Sequence, residues 1–354
     1  MSIIQSVLEG NRLATARVLT WVENNTQAGR EVLSELYPSS GQAYLIGITG
    51  APGTGKSSLV NQIAQILRRN KQKNRKYFSN ITPRVAIIAV DPSSPFTGGS
   101  ILGDRIRMRD LAGDPGIFIR SMASRGSLGG LARATASAAQ VLDAAGYNII
   151  LIETVGTGQA EVDIAKLAHT TVVVESPGLG DDIQAIKAGI LEIADILVVN
   201  KADLAGVEAT ESALRGMLQL GYPAAGDTKL HHRKFDDQKN WGIHQTGDEV
   251  SNSPIWLDEH YEWIPPIRRT IATDGEGVPE LMETILRHRE YLLESGLWQD
   301  REHDRLESEV NILLNETLIS RWRETVSKEL YVNVLNDVFD RKISPFQAVE
   351  FLIN

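Results

Sequence analysis

The sequence predicts an α/β fold, a doubly wound, mostly parallel sheet with helical extensions at both ends. Short apolar runs alternate with segments of helical periodicity through residues 42–290, an order that is typical of such sheets. Residues 1–41 and 291–354 show helical periodicity. We therefore predict an N-terminal helical extension, a central α/β domain and a C-terminal helical arm, with two helices within residues 2–36.

Six short segments, most of them apolar runs, are predicted as strands. They are Tyr44–Thr49, Val85–Val90, Asn148–Ile152, Thr171–Val174, Ile196–Val199 and a short run over Arg269–Ala272. Continuous apolar runs are expected of parallel strands that are buried on both faces. Residues 222–265 interrupt the alternation and are predicted to form a long surface insertion. The insertion contains His231, His232, His244 and His260.

The composition argues against several classes of protein. A net charge of −9 over 354 residues is unlike that of a broad nucleic-acid-binding protein. The chain has no cysteine, which removes disulfides and thiolate metal sites. No apolar run reaches the ~20 residues that a membrane span needs, and the N-terminus lacks a leader pattern. We expect a cytoplasmic protein with no membrane or nucleic-acid partner.

A phosphate-binding pattern follows the first predicted strand. The segment Gly50-Ala51-Pro52-Gly53-Thr54-Gly55-Lys56-Ser57-Ser58 contains G-x-x-x-x-G-K-[ST] and continues into a helical pattern that ends at Arg69. Glycines let backbone N–H groups turn toward phosphate oxygens at the positive end of the helix. Lys56 is expected to reach the β- and γ-phosphates, and the Ser57 hydroxyl to bind Mg²⁺. The predicted ligand is a nucleotide.

The segment Asn200-Lys201-Ala202-Asp203 predicts that the base is guanine. The Asp203 carboxylate would accept hydrogen bonds from N1–H and the 2-amino group, a pair of donors that adenine cannot offer. Lys201 would lie along the base plane. After the last strand, the backbone N–H of Ala272 is expected to meet guanine O6. With the phosphate-binding loop upstream, the predicted ligands are GTP and GDP.

Side-chain oxygens near the strand ends are candidate Mg²⁺ ligands, because this ion prefers hard oxygen donors. The candidates are Ser57, then Asp91 and Asp104 after the second strand, and Glu153 at the end of the third.

The segment Glu153-Thr154-Val155-Gly156 occupies the place where P-loop GTPases usually carry D-x-x-G. The N–H of Gly156 is expected to contact the γ-phosphate, so that nearby loops sense hydrolysis. Lys56, Glu153 and Gly156 are the predicted catalytic residues. No glutamine or arginine is identifiable by spacing as a water-positioning group, which predicts slow turnover and favours a switch over a metabolic enzyme.

The C-terminal arm carries a long apolar stripe. Its residues are Val310, Leu313, Leu314, Thr317 and Leu318, continued by Trp322, Val326 and Leu330. The pair Ser344-Pro345 is a typical start for the last helix. Periodicity alone leaves two partners open for the stripe: the core of the same chain and a second subunit.

Five motifs, taken in order, resemble the MeaB/ArgK family, the bacterial counterpart of the human MMAA protein within the SIMIBI class of GTPases. They are Gly47–Ser57, Asp91–Ser94, Gly99–Met108, Glu153–Gln159 and the segment from Gly189 to Asp203. The resemblance covers nearly the whole chain. It departs at Thr157 and Ala160, where the family usually has valine and serine, and in its longer 222–265 insertion.

The resemblance implies a GTPase chaperone of an adenosylcobalamin-dependent acyl-CoA mutase, typically methylmalonyl-CoA mutase. Such proteins gate delivery of the cofactor and protect or reactivate the mutase. The resemblance also implies a homodimer formed through the C-terminal helices. A third switch loop, carrying Asp181, Gln184 and Lys187, would couple the nucleotide state to the partner.

Two other functions remain open from the sequence. A metal-insertion GTPase for a metalloenzyme is favoured by the insertion histidines but disfavoured by the absence of cysteine. An ATP-using kinase linked to amino-acid transport is disfavoured by Asn200–Asp203.

Overall fold

The computed structural model describes residues 2–69, 81–92, 109–111, 113–124, 130–154, 159–178, 193–221 and 263–353. The chain divides into two compact units, Met1–Glu302 and His303–Asn354. The first unit contains a parallel sheet and the helices that pack on it. The second consists of helical chain.

Within the described residues, seven strands form the sheet. They are β1 Tyr44–Thr49, β2 Val85–Pro92, β3 Ile117–Ser124, β4 Ile149–Glu153, β5 Thr170–Glu175, β6 Ile196–Asn200 and β7 Ile267–Thr270. The order across the sheet is β3-β2-β4-β1-β5-β6-β7, and each neighbouring pair is parallel. The predicted doubly wound α/β fold is therefore confirmed. All strands present their carboxyl ends at one edge, where ligands bind in open sheets of this kind.

The α-helices that the structure describes flank the strands in sequence. They are α1 Ile3–Leu8, α2 Arg12–Glu23, α3 Gln27–Leu36, α4 Lys56–Arg69, α5 Gly130–Ala144, α6 Gln159–Leu167, α7 Val207–Gly221, α8 Val278–Glu294, α9 Leu297–Thr325, α10 Lys328–Phe339 and α11 Pro345–Ile353. No helix within the described ranges is long and apolar enough to cross a membrane.

The sheet is covered on both faces. Helices α4 and α8 pack on the face that carries Ile46 and Ile48 of β1. Helices α2, α3, α5 and α6 bury the opposite face, which includes Leu45. Every residue of β1 is consequently buried, and this explains its continuous apolar sequence.

Strand β3 is a strand that the sequence analysis missed. It lies at one end of the strand order, and it mixes buried Phe118 and Met122 with partly exposed Arg120 and Ser121. Arg120 forms an ion pair with Glu23 of α2. An edge strand with polar contacts lacks the continuous apolar run by which the central strands are recognised.

The N-terminal extension contains three α-helices rather than the predicted two. Gly10 adopts a left-handed backbone conformation (φ 74°), and the Asn11 side chain accepts hydrogen bonds from the N–H groups of Leu13 and Ala14. A left-handed glycine followed by an N-cap ends one helix and starts the next. This local chemistry divides the first predicted helix into α1 and α2.

The entry into β1 is held by Asp143 near the end of α5. Its carboxylate accepts the backbone N–H groups of Gly41, Gln42 and Ala43, at shortest distances of 2.5, 3.1 and 3.0 Å. A carboxylate that accepts three N–H bonds fixes the backbone strongly. The strand that leads into the phosphate-binding loop therefore starts from a defined position.

Asp195 organises the same amino-terminal edge of the sheet at the next strands along, just before β6. Its carboxylate accepts the Thr171 N–H at 2.8 Å and two N–H groups of Arg301, at 2.7 and 2.9 Å. Burial works against the charge of Arg301, but Asp195 outweighs that effect and raises the pKa of the guanidinium above its ordinary value. The backbone carbonyl of Asp195 accepts the indole N–H of Trp263 at 2.8 Å.

Trp263 lies within the predicted 222–265 insertion but belongs to the folded core. Residues 222–262 lie outside the described part of the chain, whereas Trp263 is a buried member of the core. The last residues of the 222–265 segment therefore belong to the folded domain. Its four histidines are among the residues that the structure does not describe.

The predicted apolar stripe of the C-terminal arm is interrupted by a break between two helices. Helix α9 ends at Thr325, and the Ser327 hydroxyl accepts the Leu330 N–H at 3.1 Å to start α10. The stripe through Val326 and Leu330 is thus divided between two helices. The predicted Ser344 start is present, since its hydroxyl accepts the Gln347 N–H at 3.2 Å.

We expect Asp195→Ala to lower the free energy of unfolding by about 3 kcal/mol, because it leaves the Arg301 charge without its carboxylate in a mostly buried position. Urea unfolding would measure the change. Glu208→Ala is the control: the Glu208 side chain is 74% exposed and contacts Arg269 at 3.4 Å, so its loss should change stability by less than about 0.5 kcal/mol. Equal stability losses in both variants would contradict this assignment.

Candidate nucleotide-binding site

The loop between β1 and α4 depends on glycine at two close contacts. Gly50 and Gly55 have φ values of 136° and 92°, in the region that disfavours other residues. A Cβ at Gly50 would lie 2.0 Å from the carbonyl oxygen of Val174. A Cβ at Gly55 would lie 2.3 Å from Nδ2 of Asn200. Glycine therefore lets this loop approach β5 and β6.

Lys56 places its charge inside this loop. Its buried side chain donates hydrogen bonds to the carbonyl oxygens of Gly50 and Ala51, both at 2.8 Å. Lys56 is also the first residue of α4, so its ammonium group lies close to the positive end of the helix. A loop of backbone N–H groups, a helix N-terminus and a lysine together suit the oxygens of a polyphosphate.

Ser57 and Glu153 form the polar pair next to the loop. The Ser57 hydroxyl donates to Oε1 of Glu153 at 2.5 Å, and Glu153 is only 6% exposed. The register of β1 and β4 pairs Ile48 with Glu153, which brings the carboxylate beside the start of α4. Both side chains offer hard oxygens at one point, and this donor set fits Mg²⁺.

The Asn200 side chain joins three segments at the carboxyl edge. Its Nδ2 donates to the carbonyl oxygen of Thr54 at 2.7 Å. Its Oδ1 accepts the Thr270 hydroxyl and the Ala272 N–H, both at 3.0 Å. The phosphate-binding loop, the end of β6 and the end of β7 are thus held together by one buried amide.

The rest of the predicted guanine motif extends from β6 toward solvent. Lys201 has φ 57°, a conformation that costs energy for a residue other than glycine and that clusters at ligand sites. The Ala202 N–H donates to the carbonyl oxygen of Thr270 at 3.0 Å, and Asp203 is exposed. The Ala272 N–H already donates to Asn200, so its contact with guanine O6 stays a prediction.

The described residues bring the loop, Glu153, Asn200 and Ala272 to one edge of the sheet. Lys201 and Asp203 follow directly after β6, and the remaining predicted site residues are not placed. Asp104, Gly156, Asp181, Gln184 and Lys187 lie outside the described residues, and Asp91 is described only as backbone of β2. Their roles stay predictions.

Thr270 is a contact of the motif that the sequence analysis missed. It is the last residue of β7 and lies 70 residues from Asn200 in sequence. The available signal was its position directly before Ile271-Ala272, where an expected base contact follows a strand.

The chain matches a known family over most of its length. The profile described as "Methylmalonyl Co-A mutase-associated GTPase MeaB" matches residues 15–327. A Pyrococcus abyssi protein that carries GTPase in its name is 40% identical over 351 residues, which cover 99% of this chain and 95% of the relative. The GTPase ArgK of Escherichia coli is 31% identical over 347 residues, with 96% and 87% covered.

A solved structure shows the same fold. The crystal structure of a LAO/AO transport system kinase superposes with a TM-score of 0.66 at 23% identity, covering 99% of this chain and 95% of that one. At this identity the likeness describes the fold. The profile match and the 40% identical relative establish that the chain belongs to the MeaB family of GTPases.

Proposed function

We propose that this GTPase is a chaperone that gates adenosylcobalamin loading and protects or reactivates a cobalamin-dependent acyl-CoA mutase, with methylmalonyl-CoA mutase as the first candidate. The observation that carries the proposal is the match of residues 15–327 to a family described by its association with that mutase. The nucleotide site would supply the switch, and GTP and GDP would be its two ligand states.

The site chemistry supports guanine over adenine. Asn200 holds the predicted base-binding turn against the phosphate-binding loop, and the exposed Asp203 carboxylate is available to pair with N1–H and the 2-amino group. A bound base would cover the Asp203 carboxylate and remove its water. Guanine would replace that water with two donors, whereas adenine would leave the carboxylate unpaired, and this penalty gives strong discrimination.

Hydrolysis in such a site depends on positioning and charge stabilisation. Lys56 would neutralise the β- and γ-phosphates, and Ser57 and Glu153 would hold Mg²⁺, which supplies further positive charge. Asp91 and Asp104 are additional proposed ligands. The Gly156 N–H would contact the γ-phosphate. Asp181, Gln184 and Lys187 would transmit the nucleotide state to the mutase.

The C-terminal unit supports a homodimer. Several large apolar side chains of α10 and α11 are exposed, including Phe339 (87%), Phe346 (86%) and Phe351 (64%). Exposed apolar surfaces of this kind mark interaction sites. A second copy of the chain is the proposed occupant, through the helical arm predicted over residues 291–354.

The guanine assignment predicts the effect of Asp203→Asn. The new amide would accept N1–H and donate to a 2-oxo group, so GTP affinity should fall about 100-fold and XTP affinity should rise. Fluorescent-nucleotide competition would measure both changes. A wild-type protein that binds ATP as tightly as GTP would contradict the assignment.

The chaperone proposal predicts capture of the mutase by the immobilised protein. Methylmalonyl-CoA mutase from the same organism should bind, and the amount bound should differ between GTP-analogue, GDP and nucleotide-free conditions. Lys56→Ala is the control, because weak nucleotide binding should remove the difference between conditions. Absence of capture in all three conditions would refute the proposal while leaving the GTPase assignment intact.

The dimer proposal predicts sedimentation as a dimer at micromolar concentration. The double substitution Phe339→Glu/Phe346→Glu should weaken the dimer at least about 100-fold, because charges would be buried at an apolar contact. Leu13→Glu is a matched control, since Leu13 is 84% exposed on α2. A monomeric wild-type protein would contradict the proposal, as would a double variant that remains dimeric.

A further inference from the structure

Two buried threonines connect the ends of β1 and β4. Thr49 and Thr154 are 0% and 1% exposed, and the Thr154 hydroxyl donates to the Thr49 hydroxyl with 2.9 Å between the oxygens. The Thr154 N–H also donates to the carbonyl oxygen of Ile48 at 3.1 Å. The hydroxyl pair therefore continues the contact between the strands by one residue beyond the paired Ile48 and Glu153.

The position of this pair connects it with the site. Thr49 directly precedes Gly50, the first residue of the phosphate-binding loop, and Thr154 directly follows Glu153. Side chains of neighbouring strand residues point to opposite faces. The Thr49–Thr154 contact and the Ser57–Glu153 contact therefore hold the end of β4 from its two sides, one through β1 and the other through α4.

We propose that Thr49 and Thr154 are a positioning pair that sets the Ser57–Glu153 separation and so the Mg²⁺ dependence of nucleotide binding. The inference deepens the proposed magnesium site and rests on it. Neither threonine is proposed to touch nucleotide or metal. They act by fixing the strand that carries Glu153.

A pair of hydroxyl groups and a pair of methyl groups differ in contact distance. Two hydroxyl oxygens that share a hydrogen bond approach to 2.9 Å here, whereas two methyl groups pack at about 3.5–4.0 Å. A valine pair of the same shape would push the strand ends apart by up to about 1 Å. Displacements of this size at a reacting site can reduce rates about 100-fold.

The double substitution separates an effect on stability from an effect on the geometry of the site. A single Thr→Val change leaves one buried hydroxyl without its partner, which costs stability. Replacing both partners by apolar groups of the same shape can be nearly neutral, because no polar group is then left unpaired. The double variant can therefore be as stable as the wild type while its geometry is changed.

The experiment compares wild type, Thr49→Val, Thr154→Val and Thr49→Val/Thr154→Val. The first readout is the urea midpoint of unfolding. The second is the affinity for a fluorescent GDP analogue with Mg²⁺ and with EDTA, expressed as the ratio of the two dissociation constants. The third is GTP turnover, separated into kcat and KM.

We expect the double variant to regain the urea midpoint that the single variants lose. Its Mg²⁺-dependent gain in GDP affinity should nevertheless fall at least about tenfold. The reference for full loss is Ser57→Ala, which removes a proposed Mg²⁺ ligand. The kcat of the double variant should fall between about tenfold and 100-fold. Its KM for GTP, measured with Mg²⁺, should rise by up to about tenfold in step with the lost Mg²⁺-dependent affinity, while the GDP affinity in EDTA is retained. The variants Thr49→Ser and Thr154→Ser keep the hydroxyl groups. They should retain the wild-type ratio of the GDP dissociation constants with Mg²⁺ and with EDTA.

A folded double variant with the wild-type Mg²⁺ ratio and kcat would overturn the positioning role. If the single variants do not fold, the double and serine variants still decide the question. A wild-type protein whose GDP affinity does not respond to Mg²⁺ would instead refute the magnesium site itself, so the two failures are distinguishable.

Discussion

The buried amide of Asn200 is the interaction on which the nucleotide site depends. It donates to the carbonyl oxygen of Thr54 and accepts from Thr270 and Ala272. Buried polar groups must be paired, so loss of this side chain would leave several groups of the loop and of β7 without partners. The amide therefore makes the phosphate-binding loop and the guanine motif a single unit. Gly55 is part of the same constraint, because a Cβ there would collide with Asn200.

In the parallel sheet, the contacts that stabilise the fold lie at the amino end of β6, and the groups that could bind a ligand lie at its carboxyl end. Asp195 and its partner Arg301 lie at the amino end of β6, and Asn200 lies at its carboxyl end. Charged and polar groups at the amino end are paired with one another. At the carboxyl end the exposed Asp203 remains available to a ligand. The ion pair at the amino end of β6 therefore fixes the strand, and the strand in turn fixes the position of Asn200 at its carboxyl end.

Polar groups of the site are held by contacts that a ligand can replace. Lys56 donates to loop carbonyl groups, and Ser57 donates to Glu153. Phosphate oxygens and a hard cation would compete for these same groups. The surrounding contacts, such as Asn200 with Thr54 and Thr49 with Thr154, lie in the framework. Ligands would therefore exchange partners with Lys56, Ser57 and Glu153 and leave the framework contacts in place.

The sequence alone determined the features that depend on neighbouring residues. Apolar runs located β1, β2 and β4–β6, whereas the segment predicted over Arg269–Ala272 only overlaps β7 Ile267–Thr270. The patterns at Gly50–Ser57 and Asn200–Asp203 indicated phosphate and guanine chemistry, because each pattern is complete within a few residues. Tertiary structure alone decided the long-range contacts. Asn200 reaches Thr54 across 146 residues, and Thr49 meets Thr154 across 105. Such contacts depend on strand order and register, which local patterns do not encode. The edge strand β3 and the burial of Trp263 against Asp195 are decided by the same assembled sheet.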